Sequence, residues 1–233
     1  MGIRTALIVR GQNSLPHLSK LLEQPRHAGP NPTSSGTRFK HVTWAASAII
    51  VAMTARSFAL FDTAIGRCGI VWCPRGVVAV QLPEATERKT RARMLRRFPQ
   101  AREAPPPPEI KRALDGIAAL LGGEASDLSA VALDMDGVPP FHRRVYEVAR
   151  TIAPGATLTY GEIAARLGAP GAARAVGQAL GQNPFAIVVP CHRVIASGGK
   201  IGGFSANGGI ATKRRLLAIE GAQAGGEPTL FDI

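Results

Sequence analysis

The sequence predicts two architectures in succession. An α/β segment with an antiparallel sheet and flanking helices comes first, then a mostly α segment built on a helix-turn-helix. Three β-rich apolar runs between Ser57 and Leu82, punctuated by turn residues, predict the sheet. The tetrad Thr159-x-x-Glu162, followed by two short helical stretches with glycines between them, predicts the helix-turn-helix. With 233 residues, 45% of them hydrophobic, the chain can bury one large core or two small ones and is too apolar for a disordered protein.

Residues 1–40 are rich in Pro, Ser, Gly, Asn and Gln and are expected to lack order. Residues 42–53 are apolar, but fall short of the roughly 20 that span a bilayer. They also lie too far from the terminus for an ordinary signal peptide. The expectation is a disordered extension over 1–52, a native start at Met53 and a flexible tail over 223–233.

Phe58-Ala59-Leu60-Phe61, Cys68-Gly69-Ile70-Val71-Trp72 and Val77-Val78-Ala79-Val80 read as the strands of a meander, with turns at Gly66 and Pro74-Arg75-Gly76. Residues 84–98 read as a charged helix carrying Arg88, Lys89, Arg91, Arg93, Arg96 and Arg97, a solvated face by default. A proline spacer at 105–108 precedes a helix over 109–121, stopped by Gly122-Gly123, and 128–133 reads as a further strand. Asp136-Gly137 marks the boundary between a domain over 53–136 and one over 137–222. Three widely spaced cysteines argue for a reducing compartment. Cys68 and Cys73 read as buried or half-buried thiols rather than metal ligands.

In the second segment, Phe141, Val145, Val148 and Ile152 predict a helix over 140–153, with His142, Arg143 and Arg144 facing outward. The capping box starts a helix over 160–167 that Gly168 ends, and a second helix runs over 171–181. Ala172, Val176 and Leu180 share its buried face. The opposite face carries Gly171, Arg174, Ala175, Gln178 and Gly181, so it is nearly bare apart from one arginine. Most helix-turn-helix readers fill that face with base-reading side chains, whereas a bare one allows close approach to a narrow groove. A net charge of +12 suits a polyanionic partner. Residues 1–52 hold +5 of it (six Lys/Arg, one acid) and the rest +7 (22 against 15).

The chemistry centres on Pro190-Cys191-His192-Arg193-Val194-Ile195, reached through Asn183-Pro184 and an apolar run. The run buries itself, the proline stiffens the approach, and the thiol emerges where the backbone turns. Only about 3% of an unperturbed thiol is ionised at pH 7. A nucleophilic Cys191 therefore needs a neighbouring base or cation to lower its pKa, and a third group to orient that base.

Together these stretches resemble the O6-alkylguanine-DNA alkyltransferases, the methylated-DNA–protein-cysteine methyltransferases. The shared features are Thr159-Tyr160-Gly161-Glu162-Ile163-Ala164, Ala172-Ala173-Arg174-Ala175-Val176-Gly177, Asn183-Pro184, Pro190-Cys191-His192-Arg193, Gly202-Gly203-Phe204-Ser205, and 213–221 with Lys213 and Glu220. The resemblance implies a ribonuclease-H-like scaffold over 53–136 and a winged-helix-like helix-turn-helix over 137–222. It implies that Arg174 fills the gap left by a flipped nucleotide, with Ala173, Ala175 and Gln178 along the minor groove. Cys191 would accept the alkyl group, His192 would be its base through a bridging water, and Glu220 would orient the imidazole. Tyr160 would serve the departing guanine beside Lys213. Asn183 would tie the helix-turn-helix to the nucleophile, and Arg193 would be structural.

The implied activity is a single-turnover transfer that needs no cofactor and no metal. Its partner is duplex DNA carrying O6-alkylguanine, with O4-alkylthymine a further candidate, and no membrane is involved. The protein would be a cytoplasmic monomer. Two features depart from the family: Phe204 stands where tyrosine is common, and the loop Phe204-Ser205-Ala206-Asn207-Gly208-Gly209 is two residues longer than Tyr-Ser-Gly-Gly. They leave open whether Ser205 donates to guanine O6. The main alternative is a non-catalytic lesion-binding relative, which the presence of Cys191, His192 and Glu220 disfavours. A helix-turn-helix regulator would carry more base-reading side chains, and a cysteine hydrolase would need an oxyanion hole.

Overall fold

The alternation of apolar runs and turns produces a four-stranded sheet in the computed structural model, which describes residues 55–222. The extension over 1–52, the start at Met53 and the tail over 223–233 lie outside the described residues. Strand β1 (Ser57–Phe61) pairs antiparallel with β2 (Cys68–Cys73), and β2 with β3 (Gly76–Gln81). Every residue of β2 is buried, as a central strand covered on both faces requires. On one face Val71 and Cys73 pack with Met94 and Phe98; these last belong to or cap helix α1 (Glu87–Arg97). On the other, Ile70 and Trp72 join a cluster with helix α2 (Pro108–Leu121) that also contains Tyr146, Phe185 and Val194. One apolar core thus runs through both predicted segments.

The structure departs from the sequence reading in two places here. A two-residue strand β4 (Arg102–Glu103) lies parallel beside β1, so the sheet, ordered β3-β2-β1-β4, is not wholly antiparallel. So short and charged a strand has no periodicity to announce it. The strand expected over 128–133 does not form, and only Leu133 bridges to Val77. Asp127 accepts hydrogen bonds from the Ser129 amide and hydroxyl, both at 2.8 Å, and this local turn competes with extended pairing.

Gly76 makes the close approach at this edge possible. Its φ is +132°, and a Cβ there would sit 2.4 Å from the Ala132 carbonyl oxygen, which already accepts from the Val77 amide. Gly76→Ala should therefore cost about 1–3 kcal/mol from backbone strain and lower the thermal midpoint by several degrees, measured by calorimetry. An unchanged midpoint would mean that the edge yields freely.

The second segment holds helices α3 (Pro140–Arg150), α4 (Tyr160–Arg166), α5 (Ala173–Gly181) and α6 (Gly209–Ile219). The capping box forms both of its bonds: the Glu162 amide donates to Thr159 Oγ1, and the Thr159 amide donates to the Glu162 carboxylate. Helix α5 starts two residues later than the spacing predicts, because Gly171 is left-handed at φ +94°. Val176, Ala179 and Leu180 form its buried face. Tyr146, which no motif singles out, is buried and donates from its hydroxyl to the Ala179 carbonyl at 2.9 Å, tying α3 to α5. Arg144 is not only surface charge, since it donates to the Leu167 carbonyl and closes the C-terminal end of α4. Strand β5 (Leu158–Thr159) pairs parallel with β6 (Val194–Ile195), which brings the start of α4 against the Cys191 segment.

Candidate active site

Two fixed points carry the backbone up to Cys191. At the sheet edge the Val80 amide donates to the Pro184 carbonyl at 2.8 Å. Asn183 then clasps the loop from both ends: Oδ1 accepts from the Phe185 amide at 2.9 Å and Nδ2 donates to the Val189 carbonyl at 2.8 Å. It is more than a turn residue. Within the clasp Ile187 has φ +72°, the one non-glycine residue among those described with positive φ. A β-branched side chain in the left-handed region costs on the order of 1 kcal/mol or more. Cys191 itself opens a single 3-10 turn, Cys191–Arg193.

That turn sends successive side chains in different directions. His192 and Arg193 point inward and are buried, 1% and 5% exposed, while Cys191 is half-buried and reaches a cavity. His192 Nε2 lies 2.9 Å from Glu220 Oε1, at the C-terminal end of α6. Arg193 grips the same carboxylate with two donors at 2.8 Å and donates a third bond to the Ile152 carbonyl. Burial would raise the Glu220 carboxyl, but the hydrogen bonds from His192 and Arg193 overcome it and bring its pKa down to about 2. Burial lowers the His192 pKa despite Glu220, so the ring is neutral at neutral pH. Its Nδ1 makes no hydrogen bond among the described residues. Nothing in the spacing signals the Arg193–Glu220 pair, because the partners are 27 positions apart.

The thiol does not arrive pre-ionised. Burial pushes the Cys191 pKa up, while a hydrogen bond from Asn183, the charge of Lys213 and the Cys191 and His192 amides favour the thiolate. A lowered thiol pKa is what the motif alone predicts; the desolvated site holds a neutral thiol beside a neutral imidazole instead. Lys213 is fully buried, donates to the Val194 carbonyl at 2.6 Å and stands 5.8 Å from the Tyr160 ring centre. Burial brings its pKa down to about 8. Burial also raises the Tyr160 phenol, with Cys191 adding to the effect, so Tyr160 stays protonated.

Tyr160, Gly177, Gly181, Cys191, Phe204 and Ser205 border a cavity of about 410 Å³. Gly177 and Gly202 lie against the Tyr160 ring and flank the phenol at van der Waals distance. Ser205 is exposed, and the two extra loop residues are taken up before α6. There Gly208 is left-handed and Thr212 Oγ1 donates to the Asn207 carbonyl. On the outer face of α5, Arg174 and Gln178 are exposed, with Ala173 and Ala175 partly so. Arg174 has no hydrogen-bond or ion-pair partner among the described residues. The fold thus brings Cys191, Tyr160 and Ser205 to one cavity and sets Asn183 in a neighbouring one that Cys191 also borders. It buries His192, Arg193, Lys213 and the Glu220 side chain outside the lining of either, and leaves the α5 residues on the surface. Cys68 and Cys73 are buried elsewhere, and Cys73 donates to Asp134 at 3.2 Å. No cluster of three or more His, Cys, Asp or Glu residues that could hold a metal occurs among the described residues.

The family model for the 6-O-methylguanine DNA methyltransferase DNA-binding domain matches residues 140–222. The methylated-DNA–protein-cysteine methyltransferase of Methanothermobacter thermautotrophicus is 40% identical over 159 residues, 68% of this chain and 82% of that protein. The Mycobacterium tuberculosis protein of the same name is 48% identical over 128 residues, 55% of this chain and 75% of its own. The crystal structure of M. tuberculosis OGT in complex with DNA superposes with a TM-score of 0.59 at 37% identity, covering 73% of this chain and 96% of that one. The O6-methylguanine-DNA methyltransferase of Pyrococcus kodakaraensis gives 0.57 at 28% identity, covering 72% and 99%. With a buried histidine–carboxylate pair behind a cavity-lining cysteine, and relatives matched over most of their length, the chain belongs to the methylated-DNA–protein-cysteine methyltransferase family.

Proposed function

We propose that this protein reverses O6-alkylguanine in duplex DNA by moving the alkyl group onto Cys191, once per molecule. Family membership carries the reaction class, direct-reversal repair by a protein-cysteine methyltransferase, and DNA as the partner. The observation that carries the residue assignment is Cys191 in the wall of a base-sized cavity with the His192–Glu220 pair buried behind it. The helix pair α4–α5 with the short β5–β6 ladder beside it supports reading this half as winged-helix-like, over a ribonuclease-H-like scaffold.

The lesion's alkyl carbon lies inside the duplex, so the base leaves the stack at a cost of a few kcal/mol. Arg174, long, cationic and unpartnered on a bare face, fills the gap. His192 Nδ1, the imidazole nitrogen without a protein partner, takes the thiol proton through a bridging water, and Glu220 stabilises the imidazolium. The thiolate displaces guanine in line, forming the S–C bond as the C–O6 bond breaks. Tyr160 returns a proton to the leaving base, and Lys213 favours the anions formed beside it. The thioether product is inert, which makes the protein a single-use reagent, and every residue this route uses comes from one chain, so it can act as a monomer.

Incubation with an O6-methylguanine duplex, followed by intact-protein mass, should give one added methyl per molecule. Multiple turnover, or no addition, would overturn the assignment. Arg174→Ala separates reaching the base from acting on it. Losing about 1.4 kcal/mol of compensation cuts the flipped population tenfold. Single-turnover repair of duplex at saturating protein should slow at least that much, while free O6-benzylguanine reacts as with the wild type. Equal slowing on both substrates would remove Arg174 from base flipping.

A further inference from the structure

A second cavity, about 550 Å³, reaches Cys191 from the sheet side and shares Phe204 and Ser205 with the first. Its opposite wall is α1, which presents Arg93, Arg96 and Arg97, joined by Gln81 of β3 and by Gln182 after α5. No carboxylate lines it. Residues three and four apart share a helix face, so the three guanidinium groups form one cationic strip. Arg93 is neutralised by Glu84 at 2.7 Å. Arg96 and Arg97 have no carboxylate partner among the described residues, and Arg97 is stacked on the Phe98 ring at 5.4 Å. The surrounding walls partly desolvate Arg97 and lower its pKa, while the residue remains exposed to solvent at the mouth of the groove. Cations near the end of a helix complement its dipole, which explains their presence there but not their facing the nucleophile's cavity.

Building on the duplex-repair reading above, we infer that Arg96 and Arg97 are a phosphate-binding site for the target strand: as α5 occupies the groove, the strip on α1 takes backbone phosphates beside the flipped nucleotide. The sheet-bearing segment would then be part of the DNA interface as well as a scaffold. Charge complementarity favours this ligand, because the groove combines two unpaired guanidinium groups with the amides of Gln81 and Gln182, all able to donate to phosphate oxygens.

The test is the double variant Arg96→Gln/Arg97→Gln on an O6-methylguanine duplex, with single-turnover rates followed against protein concentration at several salt concentrations. Half-saturation at about 0.1 M salt should need at least tenfold more protein. The log–log salt dependence should flatten by about two, roughly one unit for each phosphate that is no longer neutralised. A comparator that removes two charges outside the groove, Lys111→Gln/Arg112→Gln on α2, should behave as wild type. A wild-type salt slope for the groove variant, or an equal weakening in the comparator, would overturn the inference. So would a weakening confined to a duplex carrying O6-carboxymethylguanine, which would assign the cations to the lesion's own carboxylate. Should the wild type itself fail to transfer methyl, the functional reading fails, and gel-shift binding of undamaged duplex still decides the groove.

Discussion

Cys191→Ser should abolish methyl transfer and leave lesion binding close to wild type. The hydroxyl keeps the size of the thiol and can still accept from Asn183, so the clasp around residues 183–189 is undisturbed. What is lost is ionisation. His192 is a neutral, desolvated base that can draw a proton from a thiol, but a serine hydroxyl is far less acidic and its oxygen a poorer nucleophile towards an alkyl carbon. Intact mass after incubation with O6-methylguanine duplex reads the loss directly. In the reacted wild type, peptide mapping should place the methyl on Cys191 alone. Cys68 is fully buried with its pKa pushed up to about 12, and Cys73 is buried against Asp134. Methyl incorporation by the pure serine variant, or on either other cysteine, would show that the acceptor lies elsewhere.

Local rules make much of this architecture legible in the amino-acid sequence alone. The capping box set the start of α4, since both of its bonds join residues three apart. The alternation of buried and bare positions on α5 isolated Arg174 from Val176 and Leu180. What the sequence could not carry was long-range and electrostatic. The Arg193–Glu220 pair, the Tyr146 hydroxyl on Ala179 and the α1 strip facing Cys191 depend on how the elements pack. The raised Cys191 pKa arises from burial, which no motif records. Strand β4 and the failed strand over 128–133 lie where a few local hydrogen bonds decide between turn and ladder.

The second large effect is expected at Glu220, where one carboxylate holds both His192, the proposed base, and the buried Arg193. Its side chain is 4% exposed, with His192 and Arg193 at 2.8–2.9 Å. Because its folded pKa is depressed to about 2, the stabilisation it gives is fully present above the unfolded carboxyl range and lost as pH falls through about 2. Glu220→Gln removes that charge and leaves Arg193 buried without a counter-ion. The expected loss is about 3 kcal/mol, the lower end for breaking a buried pair, since the amide oxygen still accepts one bond. For a body of this size that is a fall of about 10 °C in the thermal midpoint. Catalysis should change in a way a merely structural role would not. Glu220 raises the His192 pKa against the lowering effect of burial, so its removal lowers that pKa further and weakens the base. In the wild type the transfer rate should stay level through neutrality and fall only below the usual imidazole range. In the variant the acid limb should move to still lower pH, and the plateau should drop by about 10- to 100-fold, within the contribution of a positioned base. Single-turnover rates from pH 4.5 to 8, roughly the span around the imidazole range, taken well below the variant's midpoint, separate the two roles. A variant that melts early yet keeps the wild-type rate and acid limb would leave Glu220 as the anchor of Arg193 alone, and the proton would have to leave Cys191 by another route.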